Sequence, residues 1–212
     1  MGYEFDKIIT KSVGDESIDY GIVLGNENIV FMKVGADQDI QKRRGNLKIY
    51  VETAKRAHEL CGATVICASN PDVSHEDIDE SVIRKHVTDR GYNEFRLYLW
   101  GISDGAYKNL FLAKRFSETV KFIGLNTSFI TVADFIEKLQ VLRGIKKFLV
   151  YGTEDDEFVS VFPVLQDKQE DHLKTIFVLG ADHCFRDFPL MIIDSVNLIV
   201  NDDAFSSLEN IV

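Results

Sequence analysis

Proline and cysteine are both scarce in this chain. Three prolines among 212 residues, with no proline- or glycine-rich linker, leave nothing that marks a domain boundary. The three cysteines, Cys61, Cys67 and Cys184, are an odd number and lack the spacing of a metal site, which argues against a secreted disulfide framework. We therefore expect a single domain over residues 1–212 in a cytoplasmic setting.

Long apolar runs are also missing. No stretch approaches the length of about 18 apolar residues that a membrane-spanning helix needs. Charges recur every few positions near the beginning of the sequence, where a signal peptide has its apolar core. The sequence therefore predicts a soluble protein with neither a signal peptide nor a membrane partner.

Positive charge is in deficit. With 34 acidic and 24 basic residues the formal charge is -10, whereas unaided binding to nucleic acid or to an anionic membrane needs clustered cations. One compact basic cluster occurs, at Lys42, Arg43 and Arg44, and we interpret it as a solvated loop. The 45% hydrophobic and 27% charged residues are typical of soluble globular proteins and leave open whether the chain forms a homo-oligomer. The function must therefore be sought in local motifs.

The chain begins with a pattern typical of antiparallel strands. Apolar residues alternate around residues 5–9 and 20–24, and a turn-rich tetrapeptide at residues 25–28 leads into an apolar run at residues 29–32. This pattern predicts an antiparallel start to a sheet.

From there, apolar runs alternate with helical periods through the rest of the chain. The predicted strands cover residues 29–34, 64–68, 96–100, 122–125, 147–151 and 175–179. The predicted helices cover residues 47–60, 78–88, 106–116, 132–142, 159–165 and 191–200. This alternation is typical of an α/β fold with a mostly parallel, doubly wound sheet and helices on both faces. Since ligands bind beyond the carboxyl ends of such strands, the residues just after each apolar run are the candidates for chemistry.

A Gly-x-Ser-x-Gly motif follows the predicted strand at residues 96–100. It reads GISDG over residues 101–105 and precedes an amphipathic helix. A sharp strand-to-helix turn puts its serine into a strained backbone, and glycines on either side let the strand and the helix approach each other. The hydroxyl of Ser103 would then stand at the helix N-terminus, where the backbone N–H of Asp104 can donate to a developing oxyanion.

Two later segments supply the partners that such a serine needs. A serine hydroxyl is a weak nucleophile, so a histidine must accept its proton and a carboxylate must hold that histidine. Residues 152–157 read GTEDDE after one predicted strand, and residues 180–184 read GADHC after the next. The candidates are therefore His183 for the base and Asp155 or Asp156 for the acid.

These three segments resemble the nucleophile, acid and histidine motifs of the α/β-hydrolase superfamily, and the resemblance covers nearly the whole chain. It implies an α/β-hydrolase fold with an antiparallel N-terminal hairpin and no cap domain, with Ser103 as the nucleophile and His183 as the base. The acid stays ambiguous by one residue. Counting from Gly152 favours Asp155, and matching the segment Asp-Glu-Phe-Val favours Asp156; Asp155 is slightly preferred.

The resemblance also implies a second oxyanion donor in the loop after the third strand, where members of the superfamily usually carry a His-Gly pair. Here the loop reads Lys33-Val34-Gly35-Ala36, so the glycine is kept and the histidine is not. The expected donor is therefore the backbone N–H of Ala36, together with that of Asp104. Lys33 is open to two interpretations, a contact for an anionic substrate or half of a structural ion pair.

The spacing of the motifs bears on the substrate. Only about fifty residues separate Ser103 from the acid, which leaves no room for an inserted lid. An open site favours small or polymer-tethered acyl groups over long free lipids. The residues interpreted without a chemical role are His58, His75, His86 and His172, as surface residues, and Cys184, as packing.

The function expected from these motifs is that of a serine hydrolase. It would cleave a small carboxylic ester or thioester through an acyl-enzyme, with a small-molecule acyl substrate and with no cofactor or metal. One alternative is an acyltransferase or a peptidase that uses the same triad. The other is a non-catalytic binding or regulatory protein of the same fold, suggested by the altered Lys33-Val34 segment.

Overall fold

The computed structural model describes residues 4–36, 40, 47–166 and 172–205, and these residues contain one eight-stranded sheet. The strands are β1 (Lys7–Val13), β2 (Glu16–Val23), β3 (Asn26–Lys33), β4 (Ala63–Ala68), β5 (Arg96–Ile102), β6 (Thr119–Leu125), β7 (Lys146–Gly152) and β8 (Leu173–Val178). The helices are α1 (Leu47–Cys61), α2 (Glu76–Arg90), α3 (Asp104–Ala113), α4 (Val132–Val141), α5 (Asp156–Gln166) and α6 (Pro189–Asp194), followed by a 3-10 helix (Ser195–Ile199). The basic cluster at Lys42, Arg43 and Arg44 lies outside the described residues.

The strand order across the sheet is β1-β2-β4-β3-β5-β6-β7-β8. β1 and β2 form an antiparallel hairpin, whose turn uses a positive φ of 58° at Gly14, and β2 also runs antiparallel to β4. The remaining neighbouring strands are parallel, namely β4 with β3, β3 with β5, β5 with β6, β6 with β7 and β7 with β8. The predicted α/β class, the antiparallel N-terminal hairpin and the mostly parallel sheet are therefore confirmed.

The turn-rich segment at residues 25–28 does not form a hairpin turn between two neighbouring strands. β3 begins at Asn26, and β4 lies between β2 and β3 in the sheet. The chain passes the start of β4 so closely that a Cβ on Gly25 would lie 2.3 Å from the carbonyl oxygen of Gly62. Glycine is therefore required here for the close approach of two backbones.

The sheet is covered on both faces. Successive residues of a strand point to opposite sides, so Leu97 and Leu99 of β5 belong to an apolar cluster with α2, α3, α4 and α5. Trp100 and Ile102 belong to a second cluster with α1, α6 and the 3-10 helix. Burial on both faces explains why the strands appear in the sequence as near-continuous apolar runs. Polar side chains from the sheet can gather only where the strands end.

Two helices differ from their predicted bounds in ways that bear on the site. α5 begins at Asp156 instead of residue 159, so part of the acidic run after β7 forms its first turn. The helix predicted for residues 191–200 is divided at Ser195, whose hydroxyl donates to the Ile192 carbonyl oxygen at 2.7 Å and accepts from Trp100 Nε1 at 2.8 Å. None of the helices in the described ranges combines the length and the apolar character that crossing a membrane requires.

Candidate active site

Ser103 is the single residue between β5 and α3. Its backbone has φ 54° and ψ -131°, a combination that non-glycine residues seldom adopt. A Cβ on Gly101 would lie 2.5 Å from the Cα of Ala106, and one on Gly105 would lie 2.1 Å from the carbonyl oxygen of Val34. Backbone contacts on both sides of the turn therefore explain the spacing of the motif.

The hydroxyl of Ser103 has two hydrogen-bonding neighbours. His183 Nε2 lies 2.8 Å from its Oγ, and Ser128 Oγ lies 3.0 Å from it. The backbone N–H of Ser103 donates to the carbonyl oxygen of Leu125 at 2.8 Å, which ties the turn to the end of β6. The serine is thus held by its main chain while its hydroxyl contacts an imidazole.

His183 follows β8 and joins Ser103 to a carboxylate. Its Nδ1 lies 3.0 Å from Asp155 Oδ1, and Asp155 is only 2% exposed. Because an ionised carboxylate can only accept, Nδ1 carries the proton and Nε2 is left to accept from the Ser103 hydroxyl. The hydrogen bond to Asp155 raises the pKa of His183 above its usual value, against the opposing effect of partial burial.

The structure separates the two candidate acids. Asp155 lies in the turn before α5, where its Oδ1 also accepts from the backbone N–H of Glu157 at 3.1 Å. Asp156 is exposed as the first residue of α5, and no hydrogen bond or ion pair joins its carboxylate to His183. Successive helical residues point about 100° apart, so two adjacent carboxylates at this helix start cannot both face one imidazole.

The two expected oxyanion donors lie beside the serine. Asp104 is the first residue of α3, so its N–H has no acceptor within the helix. Ala36 lines the same cleft as Ser103, and the close contact between Gly105 and Val34 brings the Ala36 loop against the first turn of α3. This arrangement can supply two backbone donors to one developing oxyanion.

An open cleft of about 280 Å³ lies over Ser103 and His183. Its other lining residues are Gly35, Ala36, Tyr50, Ile102, Cys184 and Ile192. Cys184 is exposed, so its interpretation as a packing residue is wrong. The reason is that the chain reverses at Phe185, which has φ 51° and is fully buried, so that Phe185 fills the core. Burial raises the pKa of Tyr50 well above its usual value, so its hydroxyl keeps its proton.

Sequence reasoning missed Asn126, which follows β6. Its side chain is buried, and its Nδ2 donates to the carbonyl oxygens of Asp182 and His183 at 3.0 and 2.8 Å. Its Oδ1 accepts from the backbone N–H of Gly152 at 2.8 Å. One amide therefore joins the histidine loop to the end of β7. The only signal for it in the sequence is its place directly after an apolar run.

Ser128 and Glu157 were missed as well. The Ser128 hydroxyl contacts that of Ser103, and the backbone N–H of Glu157 donates to Asp155 Oδ1. Burial and the nearby charge of Asp155 raise the pKa of Glu157, although His183 and Ser128 act in the opposite direction. Ser128 belongs to no motif, and Glu157 lies in the acidic segment at residues 152–157 without a predicted role.

Lys33 lies at the end of β3 and is fully buried. Its Nζ is 2.8 Å from Asp79 Oδ2, and the Tyr20 hydroxyl donates to Asp79 Oδ1 at 2.7 Å. Lys33 is thus half of a structural ion pair. His75 lies 3.8 Å from the same carboxylate and is buried, so its interpretation as a surface residue is wrong. The partners lie on or next to α2, far along the chain, and no local pattern connects them to β3.

A metal site is not evident in the structure. Within the described ranges, no group of three or more His, Cys, Asp or Glu side chains is arranged to hold a metal ion.

Comparisons with known proteins identify the fold. No protein-family model matches the sequence, and no curated protein matches it. A protein of unknown function from Agrobacterium tumefaciens, assigned to the alpha/beta hydrolases, matches with a TM-score of 0.68 at 11% identity, over 96% of this chain and 98% of its own. Est1E from Butyrivibrio proteoclasticus, also solved with ferulic acid bound, matches with a TM-score of 0.61 at 12% identity, over 94% and 99%.

A lid-less member of the same fold is also similar. An alpha/beta serine hydrolase without a lid from Xanthomonas campestris matches with a TM-score of 0.62 at 15% identity, over 90% of this chain and 91% of its own. The chain therefore has the α/β-hydrolase fold, and the resemblance drawn from its three motifs is confirmed at the level of the fold.

Proposed function

We propose that this protein is a serine hydrolase that cleaves a small carboxylic ester or thioester through an acyl-enzyme. The observation that carries the proposal is the continuous series Asp155, His183 and Ser103, in which consecutive side chains lie 3.0 and 2.8 Å apart. Each residue comes from a loop or turn that follows a strand of one sheet. A carboxylate, an imidazole and a hydroxyl in series activate a serine on many unrelated folds.

The proposed reaction begins with attack of Ser103 Oγ on the acyl carbonyl carbon, while His183 Nε2 accepts the hydroxyl proton. The imidazolium is stabilised by Asp155, whose hydrogen bond already raises the pKa of His183. His183 then donates the proton to the leaving alkoxide or thiolate as the acyl bond breaks. A water molecule, deprotonated by the same imidazole, then attacks the acyl-enzyme. The bond to Ser103 Oγ breaks, His183 returns the proton to that oxygen, and a carboxylic acid is released.

Negative charge develops on the carbonyl oxygen in both steps. We assign its stabilisation to the backbone N–H groups of Asp104 and Ala36. A single donor of this kind typically lowers the barrier by about 3 kcal/mol. Because both donors are backbone groups, the hydrogen bonds do not depend on the histidine that the loop lacks.

The size of the cleft supports a small acyl group. Its volume of about 280 Å³ lies just below the range of roughly 300–1,000 Å³ that encloses drug-sized ligands. Ile102 and Ile192 offer apolar contacts, and Tyr50 offers a hydroxyl. Est1E, a fold neighbour, binds ferulic acid. Short aliphatic and small aromatic acyl esters are therefore the first substrates to test.

Labelling with a fluorophosphonate tests the nucleophile without knowledge of the substrate. The reagent phosphonylates an activated serine oxygen and loses fluoride. We expect one label per chain in the unaltered protein and none in Ser103→Ala, whereas Ser160→Ala, which changes an exposed serine on α5, keeps the label. Folded protein that takes no label would contradict the proposal and favour the non-catalytic binding protein.

A panel of acyl compounds then tests the substrate class. We expect kcat/KM for p-nitrophenyl esters to fall as the acyl chain grows from acetate through butyrate to laurate, because the cleft is small and open. Faster turnover of a thioester or of an amide would identify that class of compound as the substrate. Acyl transfer to an added alcohol or amine in preference to water would identify an acyltransferase.

A further inference from the structure

A second cleft lies between β1 and α2, well away from Ser103. It measures about 280 Å³ and shares no lining residue with the cleft over Ser103. β1 contributes Lys7, Ile9 and Lys11, and α2 contributes Val82 and His86 among others. β1 is at the edge of the sheet, four positions and therefore ~19 Å from β5 at the usual strand spacing. We call this second cleft the β1–α2 groove.

Residue spacing explains why these side chains meet. Lys7, Ile9 and Lys11 occupy alternate positions of one strand and so share one of its faces. Val82 and His86 are four residues apart on one helix and so share one of its faces as well. The groove therefore lies between a regular strand face and a regular helix face, and no irregular loop is needed to form it.

The groove is basic although the chain is acidic. Four cations line it, Lys7, Lys11, Lys85 and Arg90, against one carboxylate, Asp89. Asp89 is already paired with Lys85 at 2.8 Å. Among the residues that the structure describes, no carboxylate lies within ion-pair distance of Lys7 or Lys11. The lining thus has an excess of positive charge in a chain whose formal charge is -10.

His86 adds a nitrogen that lacks a partner. Its Nε2 is shielded from solvent and makes no hydrogen bond within the described part of the chain. Burial, together with Arg90 and Lys7, lowers the pKa of His86, so the ring is neutral at neutral pH and can donate one N–H. A buried polar atom without a partner is unfavourable, and an oxygen acceptor in the groove would satisfy it.

We propose that the β1–α2 groove binds a small amphipathic carboxylate of about eight carbon atoms in total. The carboxylate accepts from Lys7 and His86, Lys11 adds positive charge further along the groove, and the apolar body lies against Ile9 and the neighbouring apolar residues of β2 and α2. The cleft volume corresponds to roughly nine water molecules, which matches the ten non-hydrogen atoms of octanoate. This inference does not depend on the proposed hydrolase activity.

The competing occupant is a strand of a second copy, because β1 is the outermost strand of the sheet in the described part of the chain. Lysine residues on an edge strand commonly prevent such pairing, which would explain Lys7 and Lys11 by themselves. Edge protection does not explain the unpaired nitrogen of His86 or the apolar side chains between the cations. A carboxylate with an apolar body explains all three features.

Titration of ¹⁵N-labelled protein with octanoate tests the proposal. We expect saturable, one-to-one shifts at the amides of residues 7–11 and 82–90, with octanol binding about tenfold more weakly because it lacks the charge. Lys7→Gln/Lys11→Gln should lose about tenfold or more in octanoate affinity. The matched variant Lys48→Gln/Lys55→Gln, on α1, should bind like the unaltered protein. His86→Leu, which removes the N–H donor, should also bind more weakly.

Four results would overturn the proposal. The first is equal affinity for octanol and octanoate, and the second is the absence of saturable binding. The third is a set of shifts confined to the cleft around residues 36, 103 and 183. The fourth is an oligomer, detected by light scattering, whose formation abolishes the shifts in β1 and so identifies a second copy as the occupant. Lys7→Gln alone replaces the double variant if that variant fails to fold by circular dichroism.

Discussion

Asn126 holds the main chain of His183, since its side-chain Nδ2 lies 2.8 Å from the His183 carbonyl oxygen. The same side chain bonds the carbonyl oxygen of Asp182 and the backbone N–H of Gly152. The position of the imidazole therefore depends on a buried amide that follows β6. Asn126 acts through His183, and we regard it as a positioning residue.

Asn126→Asp should separate this role from a general loss of stability. The substitution keeps the shape but replaces a donor by an acceptor that faces two carbonyl oxygens. We expect kcat for an ester to fall about 100-fold, because small displacements of catalytic groups have effects of this size, with little change in KM. The labelling rate with a fluorophosphonate should fall in parallel.

Asn197→Asp is the matched control, because the Nδ2 of Asn197 donates to the Asp194 carbonyl oxygen at 2.7 Å in the 3-10 helix. It should lower the melting temperature without slowing the labelling of folded protein. Equal labelling rates in Asn126→Asp and Asn197→Asp would rule out a positioning role for Asn126.

Asp155→Asn and Asp156→Asn should have very different effects on kcat. The first removes the acceptor for His183 Nδ1–H and allows the wrong imidazole tautomer, so kcat should fall by about 10⁴-fold. The second changes an exposed side chain, so kcat should stay within about twofold. Turnover of a p-nitrophenyl ester measures both. If neither variant loses activity, the orienting acid has been wrongly assigned.

The pH dependence of turnover should report on His183. The imidazole must be neutral to accept a proton, so kcat/KM should rise with pH through the His183 pKa. Because the hydrogen bond to Asp155 raises that pKa, the midpoint should lie above 6.5, the usual histidine value. An NMR titration of the His183 ring protons should show a lower midpoint in Asp155→Asn, and an unchanged midpoint would exclude Asp155 as the cause.

The hydrogen bond between His183 and Asp155 should make the folding stability depend on pH. The raised pKa means that the folded state holds the His183 proton more tightly than the unfolded state does. The contribution of the pair is therefore complete below the unfolded pKa of about 6.5 and is lost as the pH rises through the folded pKa. Urea unfolding should show a larger loss of stability for Asp155→Asn on the acidic side of this range than on the alkaline side.

Ser128→Ala should slow the reaction of Ser103 with a fluorophosphonate without unfolding the protein. Ser103 Oγ would keep His183 and lose its second neighbour, which lies at 3.0 Å. Since a hydrogen bond contributes about 0.5–1.5 kcal/mol, the labelling rate should fall about 2- to 10-fold. Ser128→Thr should restore most of the rate because it retains the hydroxyl. A rate equal to that of the unaltered protein would mean that Ser128 does not assist Ser103.

The ion pair between Lys33 and Asp79 should be important for stability. Lys33→Met leaves the carboxylate of Asp79 buried without its cation, so the free energy of unfolding should fall by about 3–5 kcal/mol. The double variant Lys33→Met/Asp79→Leu removes both charges and should recover most of that loss. Urea unfolding of the unaltered protein and the two variants measures the loss of stability and its recovery. A double variant that is less stable than Lys33→Met would contradict this account.

The residues that sequence reasoning identified share one property. Ser103, His183 and the acid each follow an apolar run that becomes a strand of the parallel sheet. Parallel strands bring their carboxyl ends to one edge, so local order along the chain predicts proximity in space. The fold and the three polar segments could therefore be predicted from pattern and spacing.

The remaining features depend on geometry that no local pattern encodes. Asp155 contacts His183 and Asp156 does not, because α5 begins at Asp156. Helix ends are uncertain by a residue or more in any sequence-based prediction. Asn126 acts on a loop 57 positions further along the chain. The partner of Lys33 lies 46 positions away on α2. These pairs are fixed by packing across the sheet edge and between layers.

Gly105 has a consequence for how this fold can diversify. A Cβ there would lie 2.1 Å from the carbonyl oxygen of Val34, so the helix start and the β3 loop meet main chain to main chain. Such a contact does not depend on the side chains at positions 34 and 36. Substitutions at positions 34 and 36 should therefore leave the amides of Ala36 and Asp104 in their relative positions. Gly105 is therefore the position in this contact that cannot carry a side chain.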